Sequence, residues 1–228
     1  MVKSAVKTNS KHSKKVLKTS LQRTKSAKQR LTQEERTALS YNRMLEIAVH
    51  LINEKGTHNT TLKDISEYAG YSRGLASVRF GTKEVLFIEL LKKFNRRWKE
   101  ESTHAVGLLT GLEAFTCANQ GLIAFFESES TFIRVMYLIG YEMAGSSKTM
   151  REHLSVQHEA YRHGVARWIR EAIAEGQIKK EIDPERIALQ YCSGVFGLIY
   201  QWLIHPEVIN IVQGLEDLRE NTIAFIKS

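Results

Sequence analysis

The sequence predicts an all-α protein, and three observations support this fold class. The 228 residues contain only two prolines and 14 glycines, which is few for a fold built from strands and tight turns. After residue 31, apolar residues recur three and four positions apart, which is the spacing of a helix face. Helix start and stop signals lie between these periodic segments, and no segment shows the alternation that is typical of a strand.

The first predicted helix begins at a capping box. Thr32 is followed three residues later by Glu35, so each side chain can bond the other residue's backbone N–H group. Leu45, Ala48 and Ile52 then follow at helical spacing, and Gly56 ends the segment.

The next segments are short. In "TTLKDISEYAG", Thr61 is the predicted N-cap, Asp64 is at the third helical position and Gly70 ends the helix. A second short helix is predicted over residues 72–80 with Ser72 as its N-cap, and Thr82 caps the long amphipathic segment that follows. Within residues 72–80, Ala76 and Phe80 are four apart and are expected to face the core.

Beyond residue 110 every segment has the period of a helix. The predicted helices span residues 111–127, 130–143, 149–175, 184–204 and 208–226. Asp183, Pro184 and Glu185 place a cap, a first-turn proline and an acid in the order that a helix N-terminus prefers.

The net charge of +8 is concentrated at one end of the chain. Residues 1–30 contain ten Lys or Arg and no acid, whereas the rest contains 23 basic and 25 acidic residues. Residues 1–30 are predicted to be a disordered basic tail, because they are too poor in apolar side chains to form a core. Two roles fit such a tail, a solubilising segment or an arm that binds phosphates without reading sequence.

The composition also limits the compartment and the cofactors. Cys117 and Cys192 are far apart and lie in apolar helical runs, which predicts free thiols in a reducing, cytoplasmic setting. No apolar run approaches the roughly 18 residues of a membrane span, so no membrane partner is expected. No cofactor motif is found, and no metal site is expected, because His153, His158 and His163 are five apart and do not converge on one helix face.

One short stretch allows two interpretations. Residues 70–74, Gly-Tyr-Ser-Arg-Gly, match the G-x-S-x-G nucleophile elbow of serine hydrolases, in which Ser72 would be the catalytic residue. That elbow requires a strand before the turn, whereas the residues before Gly70 have the cap and the period of a helix. A helix, a glycine-containing turn and a second helix are instead typical of a helix-turn-helix, which places its second helix in the major groove of DNA.

The segment "TTLKDISEYAGYSRGLASVRFGTKEVLF" resembles the DNA-binding domain of TetR/AcrR-type bacterial regulators. "EAIAEGQIKKEIDPERIA" and "GVFGLIYQWLIHPE" resemble more loosely the last ligand-domain helix junction and the first dimer helix of that family. The resemblance implies an N-terminal three-helix helix-turn-helix domain over residues 31–100 and a larger helical effector-binding and dimerisation domain over residues 101–228. It departs from the family pattern at residues 77–79, where the family often has two aromatic residues and a His, so the operator sequence does not carry over.

Ten residues are predicted to contact DNA. Arg73, Ser77 and Arg79 are expected to read bases, and Leu75 and Val78 to touch thymine methyl groups. Phosphate contacts are expected from Thr60, Thr61, Lys63 and Lys83. Ser72 completes the set as the cap of the recognition helix.

The resemblance implies a pocket for an effector whose identity is unknown. Residues that share apolar helix faces, and polar residues among them, are the candidates: Phe115, Asn119, Leu122, Phe126, Met136, Met143, His158, Tyr161 and Trp168. Ordinary core packing is the alternative for such aromatic and Met faces.

The helix at 184–204 is apolar over most of its circumference and therefore needs cover on both sides. Its resemblance to the family's dimer helix predicts an interface through Ala188, Tyr191, Val195, Ile199 and Trp202. The alternative is burial of these residues within one subunit.

These predictions together indicate a ligand-responsive homodimeric repressor that binds a palindromic double-stranded DNA operator through residues 72–80, and not an enzyme. The alternatives are a serine hydrolase acting through Ser72 and a non-specific nucleic-acid-binding protein acting through the basic tail.

Overall fold

The computed structural model describes residues 32–228, so the predicted basic tail lies outside the described residues. The described part contains eight helices and no strand. We number them α1 (Gln33–Lys55), α2 (Leu62–Tyr68), α3 (Leu75–Phe80), α4 (Lys83–Val106), α5 (Gly111–Ser146), α6 (Lys148–Ala174), α7 (Pro184–Ile204) and α8 (Ile211–Lys227). The all-α prediction is confirmed.

Backbone contacts divide the chain into a unit of residues 1–40 and a unit of residues 41–228. The described part of the first unit contains the capping box that begins α1. The Thr32 N–H donates to Glu35 Oε2 over 2.7 Å, and the Glu35 N–H donates to Thr32 Oγ1 over 3.1 Å. This reciprocal pair confirms the predicted helix start.

The second unit has a continuous apolar core. Met44 and Leu45 of α1 pack with Ile65 of α2 and with Ala76 and Phe80 of α3, all nearly inaccessible to solvent. The larger helices pack in sequence, α4 on α5, α5 on α6, α6 on α7 and α7 on α8. The predicted domain boundary at residue 100 falls inside the uninterrupted helix α4 and stays a prediction.

Most predicted caps and breaks are found. The side chains of Thr61, Thr82 and Asp183 accept backbone N–H groups at the starts of α2, α4 and α7. The two helices predicted over 111–127 and 130–143 are joined into α5, and Glu129, with φ −130° and ψ 24°, marks a kink at the expected break.

Candidate nucleic-acid interface and ligand cavity

Helices α2 and α3 form the predicted helix-turn-helix. The turn begins at Gly70, whose φ of +83° lies in the left-handed region that favours glycine. The Tyr71 N–H donates to the Ser66 carbonyl and the Gly70 N–H to the Glu67 carbonyl, so the helix end is a Schellman motif. This geometry fixes the direction in which the chain leaves α2.

The cap of α3 differs from the prediction. Ser72 lies in the turn, and α3 begins at Leu75 with Gly74 at its N-cap and no side-chain bond from that residue. The cap comes instead from the preceding helix, because the Ala76 N–H donates to Oγ of Ser66 over 2.9 Å. Ser66 Oγ in turn donates to the Leu62 carbonyl over 3.1 Å. Ser72 is therefore not the N-cap, and its carbonyl accepts from the Leu75 N–H.

The hydrolase interpretation fails on the same geometry. The elbow needs a strand before the serine, whereas the residues before Gly70 form α2 and no strand occurs in residues 32–228.

One face of α3 is free of the core. Ala76 and Phe80 are buried as predicted, while Ser77 is exposed and 84% of the Val78 side chain is accessible. Leu75 was expected to face solvent or DNA but is half-buried against the core, because α3 starts at this residue and turns it inward. Arg79 lies in the last turn and is half-buried.

Arg73 precedes α3 and does not lie on it. Its Nε is 2.5 Å from the Glu67 carboxylate at the end of α2, and both side chains are substantially exposed. Such an exposed pair contributes little to stability, so a phosphate or a guanine can compete for the guanidinium.

The predicted phosphate contacts divide into two groups. Thr61 and Lys63 are exposed at the start of α2. Thr60 is fully buried and its hydroxyl donates to the Gly56 carbonyl over 2.8 Å, which corrects its assignment as a phosphate contact. Lys83 is half-buried and its Nζ donates to the Thr57 carbonyl over 2.8 Å, so this amine has a structural partner as well.

A cavity of about 800 Å³ lies among α4, α5, α6 and α7. Six of the predicted pocket residues line it, namely Phe115, Asn119, Leu122, Phe126, Tyr161 and Trp168. The other three do not. Met136 is packed in the core, Met143 is half-buried on the far part of α5, and His158 stacks on Phe196 with ring centroids 4.4 Å apart.

The deep part of the cavity contains few polar groups. The Tyr191 hydroxyl donates to Asn119 Oδ1 over 2.5 Å, and burial raises the pKa of that tyrosine well above its usual range. Burial also raises the pKa of the Cys192 thiol to about 11, which keeps it protonated and unreactive at neutral pH. Asn119 Nδ2 and Trp168 Nε1 are buried and have no hydrogen-bond partner.

Four of the five residues predicted for the dimer interface are buried within their own chain, and Trp202 is half-buried. Tyr191, Val195 and Ile199 line the cavity of their own chain, Ala188 is fully buried, and Trp202 packs edge-on against Phe126 at 4.8 Å. Burial within one subunit, the alternative that the sequence left open, accounts for this face of α7. The sequence shows that α7 is apolar on both faces, but it does not show which face is buried within the subunit.

The opposite face of α7 is apolar and exposed. Leu189, Tyr200 and Ile204 are each about half accessible, and the Tyr200 ring meets that of Tyr141 at 5.5 Å. By length and composition α7 passes a test for a membrane-spanning helix, and it is the only described helix that does. A core helix of a soluble protein passes the same test, and the burial of Tyr191 and Ile199 against their own chain matches that case.

Sequence reasoning missed the contribution of α4 to the cavity. Phe94, Asn95 and Trp98 form one wall, although the sequence only indicated an amphipathic connecting helix. The signal was the length of α4, since its apolar face continues through Phe94 and Trp98.

Polar contacts also join the start of α4 and the residues before α2 to α5 and α6. The Thr57 hydroxyl donates to the Glu142 carboxylate, which lies 3.2 Å from Nε2 of His58. The hydroxyl of Ser147, the N-cap of α6, donates to Glu84 in the first turn of α4. The same helices thus hold the helix-turn-helix at one end and the cavity at the other.

Two family models match the chain. Residues 44–90 match the N-terminal model described as bacterial regulatory proteins, tetR family, and residues 136–209 match a tetracyclin repressor-like C-terminal domain. The first match contains α2 and α3, and the second contains part of the cavity wall and the whole of α7.

Curated proteins and solved structures show the same likeness. The transcriptional regulators ArpR and TtgR of Pseudomonas putida are each 24% identical over 178 residues, covering 76% of this chain and 84% of theirs. The structure of a SmeT–triclosan complex superposes with a TM-score of 0.71 at 18% identity, covering 83% of this chain and 92% of that one. NalD, the secondary repressor of the MexAB-OprM multidrug efflux pump in Pseudomonas aeruginosa, gives 0.66 at 18% identity, with coverages of 82% and 96%.

Proposed function

Because the chain belongs to the TetR family of bacterial regulatory proteins and is a DNA-binding transcriptional regulator, we propose that it is a ligand-responsive repressor. It binds a palindromic operator as a homodimer in the cytoplasm, and a small molecule in the cavity releases it. The observation that carries this proposal is the joint presence of an exposed α3 face and a largely apolar cavity, with α4 following α3 in the chain and forming one wall of the cavity.

Recognition of DNA is assigned to α3 and the turn before it. Ser77 and Val78 project from the core-free side of α3, and Arg73 stands at its N-terminal end. An exposed valine is suited to contact a thymine methyl group, and an arginine to bond guanine with two hydrogen bonds. Lys63 and the N-terminus of α2 supply phosphate contacts that set the position on the duplex.

Dimerisation is assigned to the exposed face of α7 together with α8. Leu189, Tyr200 and Ile204 lie on one stripe of α7, and Phe225 of α8 is 59% accessible. Exposed apolar side chains arranged along one helix are typical of an interface between subunits. A dimer places two copies of α3 on one face, and operator half-sites about 34–36 Å apart would match them.

Release by a ligand requires unequal affinity for two arrangements of the subunits. An effector that prefers the arrangement with mismatched recognition helices weakens DNA binding by that difference, typically about 5- to 150-fold. SmeT forms a complex with triclosan, which supports a small-molecule effector for a chain of the same fold.

The proposal is tested by selecting DNA sequences that bind the full chain in vitro and measuring affinity at several salt concentrations. Arg73→Ala should lose about 1–3 kcal/mol on the selected site and much less on random DNA, because a base contact is removed. Deletion of residues 1–30 is the matched control. It should reduce the slope of log K against log salt by about 0.9 per lost phosphate contact and lower both affinities by similar factors.

The opposite pattern would contradict the assignment of α3. If the deletion abolishes discrimination and Arg73→Ala preserves it, the tail reads the sequence, and the assignment of recognition to α3 and the turn before it is wrong.

A further inference from the structure

The mouth of the cavity lies between α4 and α6. Every exposed residue of the lining belongs to one of these two helices, among them Lys99 of α4 and His153 and Val156 of α6. The lining residues that α5 and α7 contribute are all buried or half-buried. A ligand that enters from solvent therefore meets the walls formed by α4 and α6 first.

Three polar side chains join the two walls of this mouth. Gln157 of α6 donates through Nε2 both to Asn95 Oδ1 of α4 and to the hydroxyl oxygen of Tyr161. The Tyr161 hydroxyl in turn donates to Asn95 Oδ1 over 3.3 Å. All three residues line the cavity and are half-buried. Asn95 and Gln157 each lie one helical turn from an exposed residue of the mouth, so the cluster stands just inside it.

Two polar atoms of this cluster are accessible and have no partner. Asn95 Nδ2 and Gln157 Oε1 take part in no hydrogen bond within residues 32–228. Neither of them is among the buried unpaired atoms of these residues, so both can be reached by a ligand. An amide that bonds to a second amide leaves one NH₂ group and one carbonyl oxygen for other partners. The cluster thus presents a donor and an acceptor side by side.

A group that both donates and accepts fits this pair. A carboxamide or a hydroxyl can accept from Asn95 Nδ2 and donate to Gln157 Oε1. A carboxylate has no hydrogen to donate to the Gln157 oxygen, and an ammonium has no acceptor for the Asn95 NH₂ group. The lining contains no buried charged residue, so either ion would lose water without gaining a buried partner of opposite charge.

The deeper lining is suited to an apolar body. Phe115, Phe126 and Val195 are buried, and the rings of Phe115 and Tyr191 meet at 4.7 Å. A volume of about 800 Å³ lies in the range of drug-sized sites, which are mostly apolar with a few placed polar groups. Aromatic walls favour a molecule that contains rings.

We infer that the effector is an uncharged molecule with an apolar ring body and a carboxamide or hydroxyl group, and that Asn95 Nδ2 and Gln157 Oε1 bind this group just inside the mouth. The inference rests on the proposed function, since it names the ligand class of the same cavity. Asn95 and Gln157 are thereby specificity-determining residues.

Two probes of equal shape test the inference. Naphthamide and acetonaphthone, substituted at the same ring position, differ only in an NH₂ group that replaces a methyl group. Calorimetric titration of the full chain without DNA gives their dissociation constants. Desolvation alone favours acetonaphthone, because the amide gives up more hydrogen bonds to water. The hydrogen bond from the amide to Gln157 should reverse this order, and we expect naphthamide to bind about two- to tenfold more tightly.

Substitutions assign the two hydrogen bonds. Gln157→Met removes the acceptor with little change of shape and should abolish the preference for naphthamide. Asn95→Leu removes the donor that both carbonyl groups use and should weaken both probes alike, by about two- to tenfold. Gln120→Met is the matched control, because Gln120 is exposed on α5 outside the lining; it should leave both dissociation constants unchanged. The ratio measured on the unchanged chain is a test by itself and does not depend on the folding of any variant.

Four results would overturn the inference: neither probe binds, acetonaphthone binds at least as tightly as naphthamide, Gln157→Met keeps the preference, or naphthoate or naphthylmethylammonium binds more tightly than naphthamide. Failure of the proposed function is read separately, in binding of the selected DNA site by the same protein. A chain that binds this site but gives any of the four results keeps its proposed function and loses only the ligand class.

Discussion

The stability of the recognition helix should depend on Ser66 and not on Ser72. Ser66→Ala removes the only acceptor of the Ala76 N–H, a bond of 2.9 Å between buried groups. An unsatisfied buried donor costs about 1–3 kcal/mol, and the better helix propensity of alanine returns a few tenths. The Leu62 carbonyl loses the hydrogen bond from Ser66 Oγ but remains in the first turn of α2. We expect a net loss of about 1–2 kcal/mol, or roughly 2–8 °C in the melting temperature of a chain of this size.

Ser72→Ala is the control, since its side chain is exposed and its carbonyl bond to the Leu75 N–H survives the substitution. A surface change of this kind should stay within about 0.5 kcal/mol. Chemical denaturation of both variants, followed by circular dichroism, gives the two free energies of unfolding. Equal costs, or a larger cost for Ser72→Ala, would refute the assignment of the cap to Ser66.

Two further predictions concern assembly and pH. Tyr200→Asp should give a folded monomer in light scattering, because it places a charge in the exposed apolar stripe of α7. Val195→Asp should instead prevent folding, because Val195 is buried within its own chain. A Tyr200→Asp variant that remains dimeric would contradict the proposed interface. Burial, and secondarily the charge of Arg162, lowers the pKa of His158 below its usual 6.5, so the folded state binds this proton less readily than the unfolded state. Stability should therefore be fully present above about pH 6.5 and fall as the pH drops through the lowered pKa, and His158→Phe, which keeps a ring against Phe196, should reduce that fall in urea titrations at pH 7 and pH 5.

Local signals predicted the elements well, because helix caps act within four residues of the chain. Thr32, Thr61 and Thr82 are caps in the structure, and Gly70 ends α2 as expected. Ser72 has the same local sequence signal but is not a cap, because α3 is capped by the Ser66 hydroxyl, ten residues before the Ala76 N–H that it accepts. A cap that comes from the preceding helix has no fixed sequence spacing to the helix that it caps, so the sequence alone does not reveal it.

Site residues were predicted correctly where the periodicity of one helix is enough to place a side chain. They were missed where the packing of several helices determines which side chains are buried. Asn119 stood out as a polar residue among apolar neighbours, and it does line the cavity. Tyr191 and Val195 were assigned to a subunit interface, because periodicity shows that α7 is apolar all round without showing which side its own chain covers. Thr60 was assigned to phosphate, although only the fold shows that its hydroxyl is turned inward to Gly56.

Helix α4 connects the cavity wall to the segment that follows the recognition helix. About 15 residues separate Lys83 from Trp98, which is roughly 22 Å along a helix axis. Lys83 and Glu84 tie its first turn to the Thr57 carbonyl and to Ser147, while Phe94 and Trp98 form the cavity wall. Since α4 has no proline and no non-helical residue that would absorb a displacement, we expect a ligand that pushes on Trp98 to move the start of the helix as well. The contacts of α4 with Thr57 and Ser147 would then either move with the helix or be lost. The difference in the free energy of these contacts between the two arrangements of the subunits limits how strongly an effector can weaken DNA binding.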